Sequence, residues 1–326
     1  MGQPLQNPLN EWQFNGSYTD KFNFFGWQEL VIKPAIRTRT CLLLACITLL
    51  AACSAIKLGY NNSASFAHTY LTNKVDFDSE QSAFLKTSLN EIVEWHRNAE
   101  LPVLASELQT ARQALAAPNG VVMPVSANQV QALNLAIRAS LRRTANEAAP
   151  VIAKNMLGLW PNQVQDIQEA LDKSNKEYRD ERLMQSADQR VRESAERMAE
   201  RFERWLGTLN PIQIKQIEAW ARAETHRAES RYEKRLERQQ QFMVLVNKAA
   251  NRQIDQATLS QEIARLLNAW QSPSSAAEKQ ESEQRQKATI ALIVEVLNSA
   301  SAEQRNNAAD RAAGWAKDFQ VLARNN

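Results

Sequence analysis

The chain has 326 residues, 44% of them hydrophobic, and carries 39 Lys and Arg against 36 Asp and Glu, for a net charge of +3. Charges of both signs are interspersed, so the domain-wide basic field that nucleic-acid binding needs is missing and no nucleic-acid partner is expected. Eight glycines and ten prolines among abundant Ala, Gln, Glu, Arg and Leu, with little alternation of β-branched and aromatic residues, argue against sheet and for an all-α protein.

Residues 1–30 are mixed and aromatic, with no helical period. Lys33, Arg37 and Arg39 then precede an apolar run, Cys41–Leu50, broken only by Thr48 and followed by Ala51 and Ala52. A positive region, a short apolar region and small residues before a cut are the layout of a secretory signal peptide, here residues 31–52. The run is too short for a bilayer span, which needs about 20 residues. Leu50-Ala51-Ala52-Cys53 resembles the lipobox of bacterial lipoproteins, Leu-(Ala/Ser)-(Ala/Gly)-Cys. That resemblance implies cleavage between Ala52 and Cys53, a thioether lipid on Cys53, and acylation, as by palmitate, of the new amino terminus. The rival Leu43-Leu44-Ala45-Cys46 leaves almost no apolar run ahead of the cut. In such lipoproteins Asp after the lipidated Cys favours inner-membrane retention; Ser54 implies the outer membrane, periplasmic face, with the inner membrane as the alternative. Cys41, Cys46 and Cys53 are the three cysteines, so the processed chain has one thiol and no internal disulfide. Residues 1–30 are expected to be a mis-assigned extension, with translation starting near Val31; a cytoplasmic extension is the alternative.

Residues 53–62 form a lipidated tether, and 63–326 an all-helical periplasmic domain with a sub-boundary near 158–161. Helices are predicted over 63–74, 78–97 (apolar Phe84, Leu85, Leu89, Ile92 and Trp95), 100–116 with Pro102 in its first turn, and from 126 beyond 143 with a break at Pro150. Pro118-Asn119-Gly120 is a turn. Pro161 opens the next helix, with Val164, Ile167, Leu171 and Tyr178 on one face, ending near 183–186; another runs to Leu206. Pro211 starts a single long helix to about Ala250, with a buried stripe of Ile214, Ile217, Ala221, Thr225, Ala228, Tyr232 and Leu236. Helices at 256–270, 276–298 and 302–323 complete the chain. Short connections imply antiparallel hairpins in an elongated multi-helix domain.

One pattern recurs. Asp78-x-x-Gln81, Ser126-x-x-Gln129, Ser186-x-x-Gln189, Asn210-x-x-Gln213 and Ser301-x-x-Gln304 each place a capping residue three before a glutamine, and Trp160-Pro161-Asn162-Gln163 is a degenerate copy. This spacing predicts capping boxes. Thr208-Leu209-Asn210-Pro211-Ile212-Gln213 also resembles the Leu-Thr-x-x-Gln motif of small helical periplasmic chaperones, departing from it at the Thr.

No metal-ligand spacing occurs: His68, His96 and His226 are far apart, and there is no HExxH or Cys-x-x-Cys. Nor is there a Gly-rich phosphate loop or a G-x-S-x-G elbow. No metal and no cofactor beyond the covalent lipid are expected. Arg222–Gln241 reads as a solvated, charge-alternating face. The densest polar cluster is Glu94-Trp95-His96-Arg97, with Glu100-Leu101-Pro102. It is either a ligand pocket or a structural corner with Trp95 packed, His96 capping carbonyls, and Glu100 near the next helix start.

Cys53-Ser54 with Leu58-Gly59-Tyr60-Asn61-Asn62, Phe77-Asp78-Ser79-Glu80-Gln81, the Glu94–Pro102 block and Glu203-Arg204-Trp205-Leu206-Gly207-Thr208-Leu209-Asn210-Pro211-Ile212-Gln213 together resemble an uncharacterised family of Gram-negative lipoproteins, a domain of unknown function. The resemblance runs from Cys53 to near the C-terminus. It implies a lipid-anchored, all-helical periplasmic protein and supplies no catalytic residues. The expectation is a non-enzymatic binding or structural role in the cell envelope, with the membrane as partner through the anchor and an envelope protein or client as a further partner. The alternatives are a periplasmic chaperone or assembly factor cradling clients on a helical surface, and an enzyme with a site near Glu94, His96 and Glu100.

Overall fold

Helix-start chemistry sets the frame. In the computed structural model, which describes residues 56–224, 227–269 and 275–324, all described residues belong to one unit, residues 51–326. Among them are α-helices and no strands: α1 Ser63–Thr72, α2 Ser79–Ala99, α3 Leu101–Leu115, α4 Ala127–Leu157, α5 Pro161–Arg182, α6 Ala187–Leu206, α7 Pro211–Glu224, α8 Ala228–Ala250, α9 Gln256–Asn268, α10 Ala276–Asn298 and α11 Ala302–Arg324. The all-α expectation is met. The signal and lipobox residues, Ala52 and Cys53 included, lie outside the described residues, as do Thr225 and His226.

The predicted capping boxes form. Asp78, Ser126, Ser186, Asn210 and Ser301 each accept from the amide three residues on, and each partner glutamine accepts in return from the cap's own amide. Three of these glutamines, joined by Gln163, which accepts from the Trp160 amide of the degenerate copy, go further and meet in two reciprocal pairs. Gln81 Nε2 donates to Gln163 Oε1 at 3.0 Å and Gln163 Nε2 to Gln81 Oε1 at 2.5 Å, while their other N–H groups reach the Gly158 and Asp76 carbonyls. Gln213 and Gln304 repeat this at 3.2 and 3.0 Å, with Val296 and Thr208 supplying the carbonyls. All four amides thus use both donors and both acceptor positions, which lets Gln163 and Gln213 be fully buried without a desolvation penalty.

Two apolar cores lie behind these locks. One joins Ala149, Ala153 and Met156 of α4 to Val246 and Ala249 of α8 and Leu259 and Ile263 of α9. The other joins Leu206, Ile217, Leu292, Val296 and Ala308 from α6, α7, α10 and α11. α3 and α11 pack against each other, with Leu101 and Ala105 buried on the one and Ala308, Ala312 and Ala316 on the other, a spacing of four that keeps small side chains on one face so that the backbones can approach closely. At the head of that stripe Arg305 is completely buried. Its guanidinium donates to the carbonyls of Ala114, Leu115, Met123 and Leu297, tying the end of α3, the end of α10 and the extended 121–126 segment together. Asn298 brackets the same segment by accepting from Val125 N–H and donating to Val125 O.

Two boundary expectations are corrected. The predicted break at Pro150 does not occur: α4 runs through it, because Ala149 and Ala153 on either side are fully buried in the first core, which outweighs the lost backbone bond. The single helix from Pro211 to Ala250 is instead α7 and α8. Glu224 is buried at the end of α7, held by Arg227 and Arg231, and Arg231 also donates to the Glu224 carbonyl, closing the helix end. The expected buried stripe accordingly holds at Ile217 and Ala221, while Leu236 is exposed. The Arg222–Gln241 stretch is also less solvated than its charges suggest. Tyr232 stacks on Tyr178, Arg235 bonds Asn175 and Ser174, and Lys234 pairs with Glu281.

Candidate functional site

The Glu94–Pro102 block sits where α2 turns into α3. Pro102 lacks the N–H that would continue α2, and its ring crowds the carbonyl four residues back, so α2 stops at Ala99 and the single residue Glu100 links the helices. The corner collects side chains from distant elements. Glu100, 1% exposed, accepts from Arg143 of α4 through both carboxylate oxygens, at 2.7 and 2.8 Å. Burial would push its carboxyl up, but hydrogen bonds from Arg143 and Ser140, with the Arg143 and His96 charges, hold it below the usual carboxylate range.

His96 does not cap helix carbonyls. Its Nδ1 lies 2.8 Å from the Tyr60 hydroxyl, which also donates to Val93 O at 3.3 Å. Burial holds the imidazole below its ordinary value, partly countered by the Glu100 charge; burial likewise pushes the Tyr60 phenol up to about 12 against the opposing charge of Arg97. The capping role falls to Arg97, which donates to Leu322 O near the end of α11 and to Asn61 Oδ1, and lies over the Tyr60 ring. Lys57 adds an ion pair to buried Asp318 of α11 at 3.6 Å. Residues 56–61, expected as part of the tether, are therefore helical and docked on the body.

The structure thus brings His96, Arg97 and Glu100 to one junction, with Trp95 half-buried beside them, Pro102 exposed on α3, and Glu94 exposed. Glu100 is held ionised by Arg143, and burial favours the neutral forms of His96 and Tyr60. Tyr60, Arg143 and Asp318 are the members that the sequence reading missed. Tyr60 lies within the Leu58–Asn62 block, but its partner is 36 residues away.

Two surface grooves are also present. One, between α7 and α10, is lined by Ile212, Ala219, Trp220, Ala223, Ala288 and Leu292; the buried Trp220 indole N–H has no partner there among the described residues. The other, between α8 and α9, is lined by Val244, Leu245, Ile254, Leu266 and the ends of Lys248 and Arg265. Among the described residues no three His, Cys, Asp or Glu side chains could hold a metal ion, and no helix is long and apolar enough to cross a membrane.

Residues 73–272 match the model of a family of unknown function, DUF6279. The match takes in the Phe77–Gln81, Glu94–Pro102 and Glu203–Gln213 blocks. The Cys53–Asn62 block and the last 54 residues, 273–326, lie outside it. No curated protein and no solved structure matches the chain.

Proposed function

The chain belongs to this family of unknown function, and from that premise we propose that it is a lipoprotein held through Cys53 at the periplasmic face of the outer membrane, with a non-enzymatic binding or structural role in the envelope. The lipobox and the apolar run before it support the anchor. A structural role is supported by the way the corner uses its side chains: Glu100 bonds Arg143, Tyr60 bonds His96, and Arg97 reaches Leu322, across α2, α4 and α11. The observation that carries the proposal furthest is the docking of residues 57–61 through Lys57–Asp318, Tyr60–His96 and Arg97–Asn61. A lipid on Cys53, four residues before Lys57, would hold the folded body against the membrane instead of on a long leash.

Intact mass with acyl-chain labelling of the membrane-extracted protein tests this, with Cys53→Ala as control. A triacylated chain beginning at Cys53 in the outer-membrane fraction is expected; an unlipidated chain retaining residues 1–40 would overturn it. The α7–α10 groove favours a second reading, a chaperone or assembly factor, because exposed Ile212 and the apolar lining of Ala219, Ala223 and Ala288 offer contact to an unfolded segment. That reading requires suppression of client aggregation that Ile212→Glu weakens.

A further inference from the structure

We propose that the outward face of residues 57–74 lies in the interfacial layer of a phospholipid bilayer, so that the protein meets the membrane with a built surface as well as with its lipid; this rests on the lipid-anchor reading. Leu58, Phe66 and Tyr70 are 66%, 63% and 64% exposed, whereas α1 turns Ala64 inward as its buried residue. A helix on a water-facing surface does the reverse, placing its large apolar side chains inward. Phe66 and Tyr70 are four residues apart and share a face.

The charge pattern names the occupant. Residues 53–75, the part of this region kept after cleavage at Cys53, contain no Asp or Glu in a chain that has 36, while Lys57 and Lys74 fall within them. The next carboxylates, Asp76 and Glu80, come after α1 has ended. An acid-free stretch suits a surface of anionic headgroups, which would repel carboxylates and attract Lys74. Lys74 lies over the Tyr70 ring, with its ammonium 5.8 Å from the ring centre. An aromatic body with a hydroxyl tip and a neighbouring lysine is the arrangement that sits at headgroup level, the ring in the acyl boundary and the polar ends in water. The face is fixed to the body: His68 Nε2 meets Ser82 of α2 at 3.0 Å, and Tyr60 and Lys57 dock on α2 and α11. Burying it would set the orientation of the whole domain.

Nitroxide labels at Phe66→Cys, Tyr70→Cys and, as an exposed control on α5, Gln165→Cys report depth. They are read in the full acylated protein in vesicles of phosphatidylethanolamine and phosphatidylglycerol. The ratio of oxygen to nickel-chelate accessibility at the first two positions is expected to exceed that at Gln165 by about threefold or more. Equal ratios in a protein whose mass shows acylation would overturn the face and leave the anchor standing. Labels shielded from both reagents would overturn it in favour of protein cover, and spin–spin broadening between labels would identify a second copy as that cover. If the chain is unacylated, the anchor reading falls, and the labels are read on the same vesicles with Cys41, Cys46 and Cys53 changed to Ala; immersion then supports the face and its absence overturns it. In the Cys53→Ala protein, Phe66→Ser with Tyr70→Ser is expected to lower vesicle binding about tenfold with an unchanged thermal transition.

Discussion

Glu100 shows how much one side chain can carry. Removing it as Glu100→Ala leaves Arg143 unpaired, but Arg143 is half exposed and regains water, so the cost is expected near 2 kcal/mol in denaturant unfolding, below that of a fully buried pair. The same residue sets an acid limit. Its folded pKa is below the ordinary 4.5, so its stabilisation is complete above that value and is lost as pH falls through the lower folded pKa. His96 acts in the same direction at higher pH. Its folded pKa is below 6.5, so the unfolded chain binds the proton more readily and stability drops as pH falls from 6.5. Unfolding midpoints measured from pH 7 to pH 3 should show both steps, with Glu100→Gln shrinking the lower, to which Asp255 and Glu281 also contribute, and His96→Gln removing the upper. Arg305 is the other residue of this rank. Arg305→Ala takes a donor from four partly buried carbonyls, of which Leu297 O keeps the Ala300 N–H, and removes a buried side chain, so it should cost about 3 kcal/mol; Arg305→Lys, with one compact ammonium in place of a planar fork, should recover less than half of that.

At the level of elements, the glutamine pairs turn a local capping device into a tertiary one. A double-mutant cycle of Gln213→Ala and Gln304→Ala should give a coupling of about 1–2 kcal/mol, whereas Gln129→Ala with Gln189→Ala, whose glutamines bond within their own caps, should be additive. The helix starts were legible: Asp78, Ser126, Pro161, Ser186, Pro211 and Ser301 mark them by chemistry confined to three or four residues. Their pairing was not, because Gln81 meets Gln163 across 82 residues and nothing local distinguishes it from Gln129. The α7–α8 break was hidden for a similar reason: the helical period runs through it, and Glu224 ends the helix only because Arg231 comes back to it. The corner was visible through Pro102 and its charged neighbours, but whether it was a pocket depended on Tyr60, Arg143 and Leu322. Arg305 did leave a trace. It stands near the first turn of α11, the end of a helix where a cation is disfavoured, which marks it as a side chain with a use elsewhere.

Among the described residues, the most extensive helix pairing joins segments far apart in the chain, α3 and α11. Arg305 closes contacts to Leu115 across 190 residues, and Arg97 reaches Leu322 across 225. A protein ended at Ala300 should therefore keep its helices but lose protection in α3, seen as cleavage by a protease within 101–115 under conditions where the full chain resists.

The α3–α11 pairing also imposes a timetable. At roughly 5–20 residues per second, about 10–40 seconds separate the emergence of Leu115 from that of Arg305 during synthesis. Through that interval the face bearing Leu101 and Ala105 has no partner, and the carbonyls closing α3 have no donor. The native topology therefore cannot be assembled in order of emergence from the ribosome. The α3 face must wait for the last helix, so this seam closes after the core shared by α4, α8 and α9, which needs no residue of α11.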